Sequence, residues 1–145
     1  MRSFTGLNRI ERRGFVIAAV LLAFAAAWAV EPAAGQNPAP TVTLTVDYGD
    51  GVTKSISNLA WTKGNTVLDA MKEATARPRG ISFSFTGTGD AAVLTKIDDV
   101  PNEGPGKRNW QFWVNGAYGD RSFAVFELQA QDVVVWRFAV AGPGK

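Results

Sequence analysis

Histidine and cysteine are both absent from the 145 residues, and this removes most of the chemistry that protein side chains perform. Without cysteine there is no disulfide framework, no thiolate metal site and no lipid-anchored cysteine. Without histidine there is no imidazole base and no Ser-His-Asp or Cys-His triad. Carboxylates, lysine, tyrosine and serine remain as groups for catalysis. We therefore expect the protein not to be an enzyme, with no catalytic residue and no metal ligand.

Two pairs of carboxylates are close enough in sequence to suggest acid–base chemistry. Asp98 and Asp99 are adjacent, and adjacent strand residues point to opposite faces, so we interpret them as part of a turn. Asp69 and Glu73 are four residues apart on a predicted helix beside Lys72, which is typical of a solvated face. Neither pair is predicted to be catalytic.

Two glycine-containing segments partly match binding motifs. The segment Asp47–Gly51 resembles the start of a calcium loop, but the twelfth position counted from Asp47 holds Asn58 instead of glutamate. The segment Gly87–Ala92 fits G-x-G-x-x-A, but a dinucleotide fingerprint must open a helix, and the residues from Val93 onward favour a strand. We interpret the first segment as a hairpin turn and the second as a loop.

The positive charge of the chain is concentrated at its N-terminus. Four arginines lie in the first fourteen residues, opposed only by Glu11. From Glu31 onward there are 11 basic and 12 acidic residues, a net charge of −1. Nucleic-acid binding requires a basic patch on the domain itself, and Lys107 and Arg108 beside Trp110 are too few cations to form one. No nucleic-acid partner is predicted.

Residues 1–30 have the three parts of an export signal. A positively charged start is followed by 16 consecutive apolar residues, Phe15–Val30, which end in the small-x-small triplet Ala27–Ala29. A bilayer crossing needs about 20 apolar residues, so we expect a signal peptide cleaved between Val30 and Gln36. A retained anchor is the alternative and would be the only membrane contact. Two consecutive arginines leave both general and twin-arginine export open. The protein is predicted to be exported: periplasmic, secreted or on the cell surface.

Residues 31–40 form a predicted Pro- and Ala-rich linker, residues 41–140 a domain, and residues 141–145 a tail. The domain opens with a strand, Thr41–Tyr48, which alternates strictly and returns after a Gly-Asp-Gly turn as a second strand, Val52–Leu59. A helix follows from Val67 to about Ala76, capped by Asn65 or Thr66. Later segments predict further strands, a tight turn and an irregular stretch: Gly80–Thr86, the segment from Val93, Trp110–Val114, Asn115-Gly116, Tyr118–Leu128 and Asp132–Ala139. One helix against one mixed sheet predicts an α+β fold of the β-grasp kind.

The C-terminal half resembles a known family. The run Trp110–Gly116 (WQFWVNG) is similar to the W-x-y/f-x-V-N-G motif of the transcobalamin-like C-terminal domain family, and Asp132–Phe138 (DVVVWRF) is similar to its closing G-D-x-V-x-W-x-F/Y motif. Three further segments resemble the family's first hairpin, its helix start and the turn before its tryptophan strand: Val46–Gly51, Thr66–Met71 and Ile97–Val100. The matching segments run in the family's order through nearly the whole domain.

The resemblance implies a β-grasp-like domain that, in transcobalamin and intrinsic factor, closes over cobalamin held by a large α/α-barrel. Cobalamin is therefore the ligand that the resemblance suggests, although no cofactor is required. Two departures bear on this expectation. The 145 residues leave no room for the barrel, so a corrinoid would need a second protein or a weaker, one-sided site. The glycine that precedes the family's closing aspartate is Gln131 here, which puts the tight turn in doubt.

The alternation of the last two long strands predicts two different faces. One face holds four aromatic residues that are expected to pack under the helix: Trp110, Phe112, Trp136 and Phe138. The opposite face is the predicted binding surface, because it presents a tryptophan with apolar neighbours and one cation. The predicted ligand-binding residues are Trp113, Asn115, Tyr118 and Arg137. The alternative is that the segment Tyr118–Leu128 folds over this face and buries it as a second small core.

Three classes of function remain open. The first is an exported, non-catalytic binding module for a small, flat hydrophobic ligand such as a corrinoid. The second is an extracellular module that binds another protein or a surface polymer. The third, an enzyme, is the least supported by the residues present. A deep apolar pocket would favour the first class, and a flat patch without a cavity would favour the second.

Overall fold

The computed structural model describes residues 38–142 of the chain. Eight strands and one helix form in the order β1 (Thr41–Asp47), β2 (Thr53–Ala60), α1 (Val67–Thr75), β3 (Phe83–Thr86), β4 (Val93–Ile97), β5 (Val100–Pro101), β6 (Arg108–Val114), β7 (Ala117–Tyr118) and β8 (Val133–Val140). A single 3₁₀ turn, Gly89–Ala91, precedes β4. The mixed α+β composition confirms the predicted class. The predicted signal peptide and most of the linker lie outside the described residues. Within residues 38–142, no helix is both long and apolar enough to cross a membrane.

The strands form two sheets, whereas a single sheet was expected. The larger sheet has the order β2-β1-β8-β6-β7, with β1 and β8 parallel at its centre and the other neighbours antiparallel. The smaller sheet has the order β3-β4-β5. The expectation of one sheet was wrong because the chain reverses immediately after β4. Ile97 of β4 pairs with Val100 of β5 around a tight turn that begins at Asp98, where φ is +46°. The three short strands therefore pair with one another.

Local side-chain interactions explain the first hairpin and the helix. Asp47 and Asp50 each accept a hydrogen bond from a backbone N–H two residues further on, which closes the turn between β1 and β2. Thr66 is the helix cap: its hydroxyl accepts from the Asp69 N–H at 3.3 Å, and the Asp69 carboxylate accepts from the Thr66 N–H at 2.9 Å. Asp69 therefore stabilises the start of α1.

One face of the large sheet, here called the inner face, carries the core. Trp136 is 2% exposed and belongs to the same buried cluster as Val67 and Met71 of the helix. The irregular segment between β7 and β8 packs on this inner face as well. The ring of Phe123 lies 5.6 Å from that of Trp136, and Phe126 lies 5.5 Å from Phe112. Helix, small sheet and irregular segment thus all cover the same side.

This packing contradicts the alternative that the irregular segment buries the opposite, outer face. The backbone shows why the segment takes the inner side. Phe126 and Phe123 accept hydrogen bonds from the first N–H groups of α1, Val67 and Leu68, at 3.0 Å each, so the segment is fastened to the start of the helix. Its aromatic side chains then lie directly above the inner face. In the described part of the chain, the outer face of the large sheet has no covering element.

The closing turn keeps its form despite the change from glycine. Gln131 has φ +70°, the left-handed region that usually favours glycine. Its N–H donates to the Thr41 carbonyl at 2.7 Å, and the next N–H, that of Asp132, donates to Gln129. The doubt about this turn is resolved: the turn is retained, with a glutamine in a strained backbone conformation.

Candidate functional site

Three of the four predicted ligand-binding residues come together on the outer face. Trp113 on β6 pairs with Tyr118 on β7, and their rings lie 5.5 Å apart, edge to face. The Arg137 guanidinium lies over the Trp113 ring, 5.1 Å from its centroid. We call Trp113, Tyr118 and Arg137 the outer-face cluster. Tyr118 is 58% exposed, and Val133 beside the cluster is 41% exposed, so this is an open, flat surface.

Asn115, the fourth predicted residue, is engaged elsewhere. Its amide nitrogen donates to the Asp132 carboxylate at 2.7 Å, and its amide oxygen accepts from the Val133 N–H at 2.9 Å. Both ends of the amide therefore hold the β6–β7 turn against the start of β8. Asn115 has φ +50°, as the first residue of a tight Asn-Gly turn requires. Its role in this structure is to hold the turn, while its second amide N–H is not used by these two hydrogen bonds.

A cleft of about 640 Å³ opens at the end of the first hairpin, at a place that the sequence did not indicate. We call it the hairpin cleft. Its apolar lining comes from Tyr48, Val52, Val100 and Phe138, and its polar lining includes Lys54, Asp98, Asp99 and Arg108. The size and the mixture of aromatic walls with a few polar groups are typical of small-molecule sites.

Asp98 connects the two sheets at this cleft. Its carboxylate accepts from the Tyr48 hydroxyl at 2.5 Å and from the Ser82 N–H at 2.7 Å, and the Lys54 ammonium lies 3.5 Å away. Lys54 also donates to the Gly80 carbonyl. The turn interpretation of Asp98 is confirmed, but the sequence analysis missed its partners. No local signal identifies them, because Tyr48 is fifty positions away.

The pKa values of Asp98 and Tyr48 are both shifted away from 7, the first downward and the second upward. Burial raises the pKa of Asp98, but hydrogen bonds from Ser82 and Tyr48 and the Lys54 charge outweigh it, so the net shift is downward. Burial, followed by the hydrogen bond to Asp98 and the Asp98 charge, raises the pKa of Tyr48 well above its ordinary value. Near pH 7 the carboxylate stays charged and the phenol stays neutral. The hydrogen bond between them therefore joins a charged acceptor to a neutral donor.

A second cation borders the cleft. Arg108 donates to Glu103 at 2.7 Å and lies over the Phe138 ring, 4.9 Å from its centroid. Within residues 38–142, no three acidic side chains gather in a way that could hold a metal ion. The hairpin cleft is an amphipathic site that combines apolar lining residues with charged side chains at its border.

Comparison with known proteins extends to the fold. No protein-family model matches the sequence, and no curated protein matches it significantly. A putative metal binding protein from Ruminococcus gnavus ATCC 29149 is similar in structure, with a TM-score of 0.58 and 12% identity, over 71% of this chain and 99% of that one. Haptocorrin in complex with Cbi is also similar, with a TM-score of 0.57 and 14% identity, over 70% of this chain and 25% of haptocorrin. The described domain therefore has the fold of one part of haptocorrin.

Proposed function

We propose that the protein is an exported, non-catalytic binding module that takes a small, flat, amphipathic ligand in the hairpin cleft. The observation that carries the proposal is the cleft itself, about 640 Å³ with both apolar and charged lining residues. The proposal requires no cofactor.

A corrinoid is the first ligand class to test. The motifs of the last two long strands resemble the transcobalamin-like family, and the fold is similar to part of a haptocorrin that was crystallised with Cbi. The half-buried Tyr48 and the exposed Val52 supply apolar surface in the cleft against which a macrocycle can pack, and Arg108 and Lys54 can donate to amide oxygens on its rim.

The test is an absorbance titration of the purified full-length chain with cobinamide and with cobalamin. A matched pair of variants locates the site. Val52 is 56% exposed and lines the hairpin cleft, whereas Val133 is 41% exposed on the outer face. We expect Val52→Arg to weaken binding by at least about tenfold, because a long charged side chain fills the cleft, and Val133→Arg to leave binding unchanged. Absence of any saturable spectral change in the unmodified chain would exclude corrinoids.

A second candidate function is interaction with another extracellular protein through the outer-face cluster. Tryptophan, tyrosine and arginine are the residues that most often dominate protein interfaces, and here they meet on one flat, uncovered surface. An exported protein that co-purifies with the unmodified chain and with Val52→Arg, but not with Trp113→Ala or Val133→Arg, would support this function. The two variant sets thus assign binding to one surface or the other.

A further inference from the structure

A second cleft, of about 540 Å³, lies beside β6 on the inner side of the large sheet. We call it the loop cleft, because residues of the loop before β6 and of the irregular segment after β7 border it. Five aromatic side chains line it: Trp110, Phe112, Tyr118, Phe123 and Trp136. Tyr118 is 58% exposed, whereas the other four are 2–7% exposed and form a packed aromatic wall, in which the Trp136 ring lies 5.1 Å from Phe112 and 5.6 Å from Phe123. Such a wall favours a ligand with a flat aromatic body.

The charge of the loop cleft is one-sided. Of its sixteen lining residues, only Arg121 is charged. Arg121 is exposed, and within residues 38–142 no carboxylate oxygen lies within 4.0 Å of its guanidinium. Asp120 and Glu127 border a neighbouring depression with Arg121 but do not line the cleft. A guanidinium at the edge of an aromatic cavity suits an organic anion, because it offers two parallel donors to a carboxylate.

The wall also contains a donor without an acceptor. The Trp136 indole N–H is buried and has no hydrogen-bond partner among the described residues, whereas that of Trp110 donates to the Val100 carbonyl at 2.8 Å. A buried donor without a partner is uncommon in folded proteins. Trp136 itself lines the cleft, so the resonance of its indole N–H reports on a ligand bound there.

Addition of a peptide strand is a weaker explanation for this cleft. The adjoining edge of β6 is already occupied: Asn102 accepts from the Trp110 N–H at 2.9 Å, and the Gly119 N–H donates to the Phe112 carbonyl at 2.9 Å. An added strand would have to break both hydrogen bonds. The opening therefore suits a compact molecule better than an extended backbone.

We propose that the loop cleft binds a small aromatic organic anion, whose ring packs against the exposed Tyr118 beside the buried aromatic wall and whose anionic group pairs with Arg121. This site is separate from the hairpin cleft and does not depend on the function proposed there. Tyr118 provides the packing surface, and the single cation at the border of the cleft selects for the negative charge.

The probe is 2-naphthoate, with neutral 2-naphthamide as its matched control, titrated into the full-length chain and followed by ¹H–¹⁵N resonances. We expect saturable shifts at the Gly119 amide and the Trp136 indole, and binding of naphthoate about tenfold tighter than of naphthamide. Arg121→Gln should remove this difference by weakening naphthoate alone, and Arg79→Gln, an exposed arginine outside the cleft, should preserve it.

Four results would overturn the proposal. The first is equal affinity for naphthoate and naphthamide, and the second is an Arg121→Gln variant that keeps the full preference for the anion. The third is a set of shifts centred on Trp113 or on Tyr48. The fourth is saturation of the cleft resonances by an extended peptide when naphthoate causes no shift, which would assign the cleft to strand addition. Melting curves of both arginine variants verify that each remains folded.

Discussion

The two faces of the large sheet are built from the same strands, but the inner face is buried in the core and the outer face is left uncovered in the described domain. On β6 and β8, Trp110 and Trp136 point to the inner face and are 6% and 2% exposed. Trp113, also on β6, points to the outer face, where it is half-buried beside Tyr118 and Arg137. The residue type is the same, so hydrophobicity alone does not separate core from surface here. The difference lies in what covers each face, and every covering element in the described domain lies on one side.

The largest difference between the faces is expected from truncating their tryptophans. Trp136→Ala should lower the free energy of unfolding by about 3–5 kcal/mol, because it leaves a large cavity between Phe112 and Phe123. Urea or guanidinium unfolding measures the change. A midpoint equal to that of the unmodified chain would mean that the two faces have been assigned the wrong way round.

The next largest effect concerns the contact that ties the small sheet to the first hairpin. Asp98→Asn should cost about 1–3 kcal/mol at pH 7, because the Tyr48 and Ser82 donors lose a charged acceptor. If the small sheet is held over the inner face by other contacts, this variant will unfold like the unmodified chain.

The same contact predicts the pH dependence of stability. Because folding lowers the pKa of Asp98, its stabilisation is present above the unfolded pKa of about 3.9 and is lost as the pH falls. Because folding raises the pKa of Tyr48, its contribution is present below about pH 10 and is lost as the pH rises above that value. Unfolding measured between pH 2 and 7 should show a smaller loss of stability at acid pH in Asp98→Asn. Unfolding measured above about pH 10 should show a smaller loss of stability in Tyr48→Phe.

A smaller effect is expected at the turn that sets the register of β8 and therefore the face to which each of its residues points. Gln131→Gly should stabilise the domain by about 1 kcal/mol, because glycine adopts the left-handed conformation without steric strain. Gln131→Ala serves as the control, since it shortens the side chain and keeps the strain. Thermal unfolding of both variants distinguishes backbone strain from side-chain contacts; equal melting temperatures would argue against strain.

The smallest effect is expected on the outer face. Trp113→Ala should change the free energy of unfolding by less than about 1 kcal/mol, since it removes contacts of a half-buried ring with the exposed Tyr118 and Arg137 and leaves the core intact. Measured beside Trp136→Ala, it gives the contrast between the faces directly. A loss of several kcal/mol would show that Trp113 is a structural residue, and the interaction function proposed for the outer-face cluster would then fail.

Much of the architecture was predictable because it depends on local patterns. Strict alternation in Thr41–Asp47 and in β6 and β8 assigns each side chain to a face, and Thr66, Asp69 and the Asn115-Gly116 turn mark where elements begin and reverse. The absence of histidine and cysteine is equally local and limits the chemistry before any folding is considered. These features follow from residue type and spacing of a few positions.

The sites depended on contacts that spacing does not reveal. The sequence predicted which residues share the outer face. It did not predict that the Asn115 side chain would donate a hydrogen bond to Asp132, or that the irregular segment would pack on the inner face. Nor did it indicate that Tyr48 and Lys54 would meet Asp98, which joins segments fifty positions apart. Periodicity determines on which side of its own strand a residue lies. Only tertiary packing decides which other elements come to cover that side, because that choice rests on the combined energy of many distant contacts.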